Sequence, residues 1–108
     1  MLKYIPFKTT YLCGLMSVFA NAKVLVVGDI MLDSYLFGDA HRISPEAPVP
    51  IIRVENEKNL LGGAGNVARN IKSLGANPML IALTGNDRNA DELEHLSLNE
   101  NIQHMFAS

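Results

Sequence analysis

The sequence has 108 residues, which is long enough for one hydrophobic core and short for a two-lobed enzyme, so it predicts one small domain at most. Apolar residues make up 48% and charged residues 19%, and the net charge of -2 gives no reason to expect nucleic acid or an anionic membrane as a partner. The single cysteine, Cys13, excludes an internal disulfide and a cysteine-rich zinc site, and favours a reduced, cytoplasmic setting.

The N-terminal segment allows two interpretations. Lys3 and Lys8 precede a mostly apolar run over residues 11–19, and residues 20–22 have the small-x-small form of a signal-peptidase site, so one alternative is an export signal. A glycine and a serine interrupt the run, however, and a strand pattern begins directly after it. The run is also shorter than the roughly 20 apolar residues that span a bilayer. We therefore favour a flexible or loosely packed leader over residues 1–22.

Residues 23–29 form an apolar run rich in β-branched side chains, which predicts a strand buried on both faces of an α/β sheet. Ligand sites in such sheets lie beyond the carboxyl ends of the strands, which places Asp29 and Asp33 at the expected mouth of a site. A turn or capping role is favoured for Asp29. For Asp33, capping and ligand contact both stay open.

A proline-rich segment separates this strand from the rest of the sheet. Residues 34–39 and 49–54 predict two short strands, and three prolines from Pro45 to Pro50 argue against pairing inside a central sheet. We therefore expect an edge ribbon over about residues 34–54 that acts as a flap or lid. The polar residues that follow predict a turn back to the main sheet.

The connection between the ribbon strands carries two side chains with possible chemistry. Arg42 can pair with an anionic group of a substrate or remain solvated. His41 is predicted to be a surface residue, because no second histidine or cysteine stands at metal-ligand spacing.

Residues 61–75 predict a glycine-rich turn that runs into an amphipathic helix. Apolar side chains recur at three- and four-residue spacing, at Ala64, Val67, Ala68, Ile71 and Leu74. Gly75 suits the left-handed position after a helix, and Lys72 complements the helix dipole. The glycines leave the amides of the first helical turn open to an oxygen-rich ligand, and Asn66 adds further donors and an acceptor. The alternative is that the glycines only allow tight packing of the helix on the sheet.

Residues 78–84 predict a second buried strand, and the leucines after Ala90 indicate a second helix. The order of strand, ribbon, helix, strand and helix is that of a parallel βαβ unit with an inserted ribbon and a right-handed crossover. No element is predicted from residue 97 onward, and residues 105–108 resemble a cut or frayed end.

The glycines also fit the dinucleotide-binding pattern, as Gly63-x-Gly65-x-x-Ala68, with Asp87 at the end of the following strand as a candidate ribose ligand. That pattern requires a buried strand directly before the glycines, and the residues found there, 55–59, are polar. We keep a nicotinamide-binding domain as a minor alternative. No lysine followed by serine or threonine completes a Walker-type phosphate loop.

The string Gly62-Gly63-Ala64-x-Asn66-x-Ala68, followed by Gly75 and Gly85, resembles the first signature of the pfkB (ribokinase-like) carbohydrate kinases. Residues 28–33 and 42–50 more narrowly resemble the heptose 7-phosphate kinases of that family. The resemblance covers about residues 23–96. It implies an α/β, ribokinase-like (Rossmann-type) parallel sheet unit in truncated form with an inserted β-ribbon lid, in which residues 23–108 are the N-terminal part of a kinase domain.

The resemblance implies a kinase that uses ATP and Mg²⁺ to phosphorylate D-glycero-D-manno-heptose 7-phosphate at O1, for ADP-heptose and lipopolysaccharide core synthesis. It implies that four residues bind the sugar hydroxyls, namely Asp33, Gly62, Gly63 and Asn66. The ribbon resembles the lid over the sugar, with possible contacts from Arg42, Ser44 and Glu46. In the family this ribbon often forms a homodimer contact. The expected partner is a small sugar phosphate, without nucleic acid or membrane.

The sequence departs from the family in one respect. Family members carry a later Gly-x-Gly-Asp motif, which supplies the catalytic base beside the ATP site, and these 108 residues contain no such motif. We therefore assign no catalytic residue and no metal ligand here, and expect the chain alone to hold neither ATP nor Mg²⁺ and to be inactive. The alternatives are a kinase for another sugar of the family and a non-catalytic sugar-binding or dimerisation module.

Overall fold

The computed structural model describes residues 9–108, with side chains described from residue 11 onward. In chain order the elements are α1 (Thr9–Phe19), β1 (Lys23–Val27), β2 (Ile30–Ile43), β3 (Pro50–Gly63), α2 (Ala64–Ser73), β4 (Asn77–Leu83), α3 (Arg88–Asn99) and β5 (Gln103–Ala107). Strands β1, β4 and β5 form a parallel sheet in the order β1-β4-β5, and β2 and β3 form a separate antiparallel hairpin. This confirms the predicted α/β unit with an inserted ribbon.

Helix α1 occupies the described part of the segment for which we expected a loose leader. Its side chains from Tyr11 onward are exposed. The chain is nevertheless anchored after the helix, because the Asn77 side-chain amide donates to the carbonyl oxygens of Ala20 at 2.9 Å and Ala22 at 3.3 Å. Lys3 and Lys8, the basic residues of the export-signal alternative, lie outside the described residues. Between residues 9 and 108, no helix has both the length and the apolar character to cross a bilayer.

The C-terminal segment is more ordered than the sequence predicts. Helix α3 continues to Asn99, Ile102 is 3% exposed, and β5 pairs in parallel with β4. The expectation of a frayed end is therefore wrong. The strand was missed because it is short and carries polar side chains, Gln103 and His104, so its hydrophobic pattern alone is weak.

The core lies between the parallel sheet and the helices α2 and α3. It consists of Val26, Leu61, Ala64, Ala68, Leu80, Leu93 and Ile102. The two alanines of α2 have small side chains, which allow the helix to approach the sheet closely. The helix therefore buries a narrower stripe than predicted, and Val67 and Leu74 remain about half exposed.

The second face of the parallel sheet is open in the part of the chain that the structure describes. Each of its three strands has exposed apolar side chains on this face, with values of 61% for Leu25, 68% for Val27, 77% for Leu83 and 58% for Met105. The prediction that β1 is buried on both faces is therefore wrong for these residues, because α2 and α3 both pack on the face that carries Val26 and Leu80.

We expect the 108-residue chain to self-associate through this open face, since a contiguous exposed apolar surface favours association. Light scattering over a range of concentrations would show a rising mass. The double variant Leu25→Lys/Met105→Lys should lower that mass, and the matched control Asn70→Lys/Asn89→Lys, which adds the same charge at exposed polar positions, should not. An unchanged mass in the leucine and methionine variant would contradict the expectation.

The hairpin is longer than the predicted ribbon. Strands β2 and β3 have 14 residues each, and residues 55–59, expected to form a turn, lie within β3. The actual turn is short, with the Ser44 amide donating to the Val49 carbonyl oxygen at 2.8 Å. Both faces of the outer ribbon are exposed to solvent, so polar side chains fit in its strands and no hydrophobic alternation marks its full extent.

Candidate functional site

The site is built where β1, the root of the hairpin and α2 meet. Strand β3 ends at Gly63, which has φ 57° and ψ -129°, and α2 begins at the next residue. The Ala64 amide donates to the Asp29 carbonyl oxygen at 2.8 Å. Asp29 therefore contributes a capping contact, as favoured from the sequence, although it does so through its carbonyl group. The contact joins the carboxyl end of the first strand to the first turn of the helix.

Asp33 lies on β2 with its carboxylate against the Cα of Gly62. A Cβ atom at Gly62 would lie 2.6 Å from Asp33 Cγ and 2.7 Å from Asp33 Oδ1, so close that the carboxylate would have to move. The glycine therefore makes room for the carboxylate. The Asp33 side chain itself is exposed, so its oxygens remain accessible to a ligand.

The other two predicted sugar residues follow Gly62 along the chain, at the junction of β3 and α2. Gly63 follows Gly62 directly, and the Asn66 side chain is exposed in the first turn of α2. No side chain in the described residues caps the start of this helix. A carboxylate, backbone amides at a helix start and a side-chain amide are together suited to binding hydroxyl groups.

The three predicted lid contacts lie at the other end of the hairpin. Arg42 follows Asp33 by nine residues along β2, which corresponds to about 30 Å of extended strand. Ser44 and Glu46 lie farther on, in the turn, where the Glu46 amide donates to Ser44 Oγ at 3.3 Å. The structure thus does not bring Arg42, Ser44 and Glu46 together with the sugar-binding candidates of the same chain.

The outer part of the hairpin has two different faces. One face carries the charged side chains of Asp39, Arg42 and Arg53 together with Ile51. The register pairs Arg42 with Ile51 and Asp39 with Arg53, and cross-strand partners share a face. The opposite face carries an exposed apolar row, consisting of Leu36, Ile43, Ile52 and Val54. Register shifts after Phe37 and after Asp39 bring these side chains onto common faces. We call Leu36, Ile43, Ile52 and Val54 the apolar row of the lid.

The structure also bears on the dinucleotide alternative. A strand does precede the glycines, contrary to the expected turn, but it is β3, which pairs antiparallel with β2 outside the parallel sheet. The glycines therefore do not follow a strand of the parallel sheet, which the dinucleotide-binding pattern requires. The ribose-ligand candidate Asp87 instead caps α3, where its carboxylate accepts a hydrogen bond from the Ala90 amide at 2.9 Å.

Two contacts that the sequence did not predict hold α2 in place. Arg69 Nε donates to Glu100 Oε2 at 2.7 Å, and Lys72 Nζ donates to the Asn101 carbonyl oxygen at 3.0 Å. Both join the helix to the turn between α3 and β5.

Another pair, Ser34 and Asn59, lies beside the site and carried no sequence signal, because its members are 25 residues apart. Among residues 9–108, no group of three or more histidine, cysteine, aspartate or glutamate side chains is placed to hold a metal ion.

Comparison with known proteins agrees with this architecture. Residues 21–108 match the pfkB family carbohydrate kinase model. The chain is 51% identical over 84 residues to a D-beta-D-heptose 7-phosphate kinase from Bordetella bronchiseptica, a match that covers 78% of this chain and 27% of that protein. It is 58% identical over 76 residues to the bifunctional protein HldE of Caulobacter vibrioides, covering 70% and 16% of the two chains.

Solved structures show the same fold at low sequence identity. A carbohydrate kinase from Agrobacterium tumefaciens superposes with a TM-score of 0.59 at 21% identity, and a putative phosphofructokinase from Staphylococcus aureus with 0.60 at 19%. Each match covers 79% of this chain and 26% of the other. The chain spans about a quarter or less of the length of these proteins and of the curated relatives it matches. With the family match over residues 21–108, these similarities show that the chain belongs to the pfkB family of carbohydrate kinases.

Proposed function

We propose that this chain provides the sugar-binding part of a kinase that phosphorylates heptose 7-phosphate at O1, in the synthesis of ADP-heptose and the lipopolysaccharide core. The observation that carries the proposal is the exposed carboxylate of Asp33, which lies against Gly62 at the end of β3, just before α2 begins. The 51% identity to a protein named D-beta-D-heptose 7-phosphate kinase supports the choice of sugar.

In this proposal the site recognises the hydroxyl groups of the sugar. Asp33 accepts hydrogen bonds from two vicinal hydroxyls, and the backbone amides near Gly62 and Gly63 donate to sugar oxygens. Asn66, in the first turn of α2, adds a side-chain amide that both donates and accepts. The site is thus polar, and its hydrogen bonds have defined directions, as the recognition of a sugar requires.

ATP supplies the phosphoryl group in this reaction, with Mg²⁺ to neutralise the phosphate charge. We assign no residue of this chain to either group. Because the 108 residues contain no Gly-x-Gly-Asp string, we propose that the base and the nucleotide site belong to a part of the kinase outside them. The chain alone is therefore expected to bind sugar without turning it over.

We propose further that the hairpin forms a homodimer contact. The apolar row of the lid is exposed along the ribbon, and a second copy would bury it. The lid tip, which carries Arg42, lies about 30 Å of strand from Asp33 of the same chain, and we propose that it contacts the second copy. Light scattering on Ile52→Lys in the Leu25→Lys/Met105→Lys background tests this contact separately from the open sheet face, because that background weakens association through the sheet and leaves the hairpin unchanged. An equal mass for the triple variant and the Leu25→Lys/Met105→Lys variant would contradict the proposal.

The function is tested by calorimetric titration of the chain with heptose 7-phosphate, with fructose 6-phosphate as a second sugar phosphate and with a non-hydrolysable ATP analogue. We expect heat from heptose 7-phosphate and none from the analogue. Preferential binding of fructose 6-phosphate would favour a kinase for another sugar. A folded chain that binds no sugar phosphate would contradict the proposal, and circular dichroism establishes that it is folded.

A further inference from the structure

A side-chain hydrogen bond crosses the hairpin next to the candidate site. Ser34 and Asn59 are direct cross-strand partners, and Ser34 Oγ donates to Asn59 Oδ1 at 2.6 Å. Strands of a two-stranded ribbon are held together mainly by their backbone ladder, and such a ribbon is marginally stable when nothing packs on it. A side-chain bond between directly opposed residues adds a second restraint at one level of the ladder.

This pair lies at the boundary between the anchored and the free parts of the hairpin. One step toward the body on the same face are Leu32 and Leu61, and Leu61 is 1% exposed within the core. One step outward on that face are Leu36 and Glu57, both exposed. The Ser34–Asn59 bond is thus made where the ribbon leaves the core.

The bond also restrains the residue that the proposed function depends on. Asp33 precedes Ser34 and points to the opposite face of the ribbon, toward Gly62. Its cross-strand partner, Leu60, follows Asn59. A change in the twist or spacing of the strands at Ser34 would therefore move the Asp33 carboxylate relative to Gly62.

We propose that Ser34 and Asn59 are positioning residues, which hold the root of the lid and thereby set the place of the Asp33 carboxylate in the sugar site. The effect on sugar affinity rests on the proposed function, whereas the effect on the lid does not. A neutral hydrogen bond of this kind corresponds to about a threefold to tenfold change in an equilibrium constant.

The test is Ser34→Ala in the 108-residue chain, measured in two ways. Hydrogen exchange of the hairpin amides between Tyr35 and Lys58 should be about threefold to tenfold faster than in the unsubstituted chain. The dissociation constant for heptose 7-phosphate, from calorimetry, should rise by a similar factor. Ser34→Thr keeps the hydroxyl group, so its exchange rates and its dissociation constant should match those of the unsubstituted chain. A merely steric role of the serine would not predict this match.

Two further variants make the result specific to the pair. In a double-mutant cycle, the hairpin amides of Ser34→Ala/Asn59→Ala should exchange no faster than those of either single variant, and its dissociation constant should be no higher. The reason is that each single variant already removes the same bond. Ser44→Ala, at the lid tip, should leave exchange at the root unchanged. Unchanged hydrogen exchange in Ser34→Ala, or additive effects of the two single variants, would overturn the inference. If the unsubstituted chain binds no heptose 7-phosphate, the proposed function fails, and the exchange measurement still decides whether the pair restrains the lid.

Discussion

Asp33→Asn is expected to weaken the binding of heptose 7-phosphate by about 10- to 150-fold, because it removes one of the two hydrogen bonds assigned to the carboxylate, and a hydrogen bond to a charged group is worth about 1.5–3 kcal/mol. The substitution keeps the size of the side chain and removes the charge and one acceptor oxygen. Calorimetric titration measures the affinity, and circular dichroism shows whether the fold is retained.

The matched control is Asp39→Asn, which makes the same chemical change at an exposed position on the same strand. It should leave the affinity for heptose 7-phosphate unchanged. Gly62→Ala offers an independent test of the same contact, since its φ is not positive and the new Cβ would displace the Asp33 carboxylate. If Asp33→Asn binds the sugar phosphate as tightly as the unsubstituted chain, Asp33 is not a sugar ligand.

Gly63→Ala is expected to lower the free energy of unfolding by at least about 2 kcal/mol. The residue has φ 57° and ψ -129°, a conformation that residues with a Cβ rarely adopt. An added Cβ would also run into the carbonyl oxygen of Asp29, which accepts the first amide hydrogen of α2. Urea denaturation with linear extrapolation measures the loss.

Two causes contribute to that loss, namely the backbone strain at positive φ and the contact of the new Cβ with Asp29, and Gly75→Ala separates them. Gly75 also has a positive φ, 93°, but a Cβ there would meet no atom within 4 Å. This control should therefore cost only the backbone strain, about 1–2 kcal/mol. A Gly63→Ala chain that is no less stable than Gly75→Ala would show that the contact with Asp29 adds nothing.

Local patterns predicted most of the body of the fold. The apolar run of β1, the three- and four-residue spacing in α2 and the strand of β4 all lie where the sequence placed them, within a residue or two. Gly75 has the positive φ expected after a helix, and Gly63 has it at the start of one. These signals are short-range, because they depend on steric limits and periodicity within one turn or one strand.

Long-range pairing explains what the sequence analysis missed. The hairpin extends over Ile30–Ile43 and Pro50–Gly63 because the strands pair with each other, and its polar residues 55–59 show no strand alternation. β5 is a strand because β4 offers it a partner. In both cases the stabilising contacts come from another segment, which a single stretch of sequence does not reveal.

Local features of the amino-acid sequence were enough to predict the fold class and to reveal the family resemblance, and it was the resemblance that implied the residues of the candidate sugar site. Only the tertiary structure decided that Asp33 packs on Gly62, that the lid tip lies about 30 Å of strand from it, and which face of the sheet is open. The physical reason is strand register, which places residues 29 positions apart in contact and alternates side chains between faces.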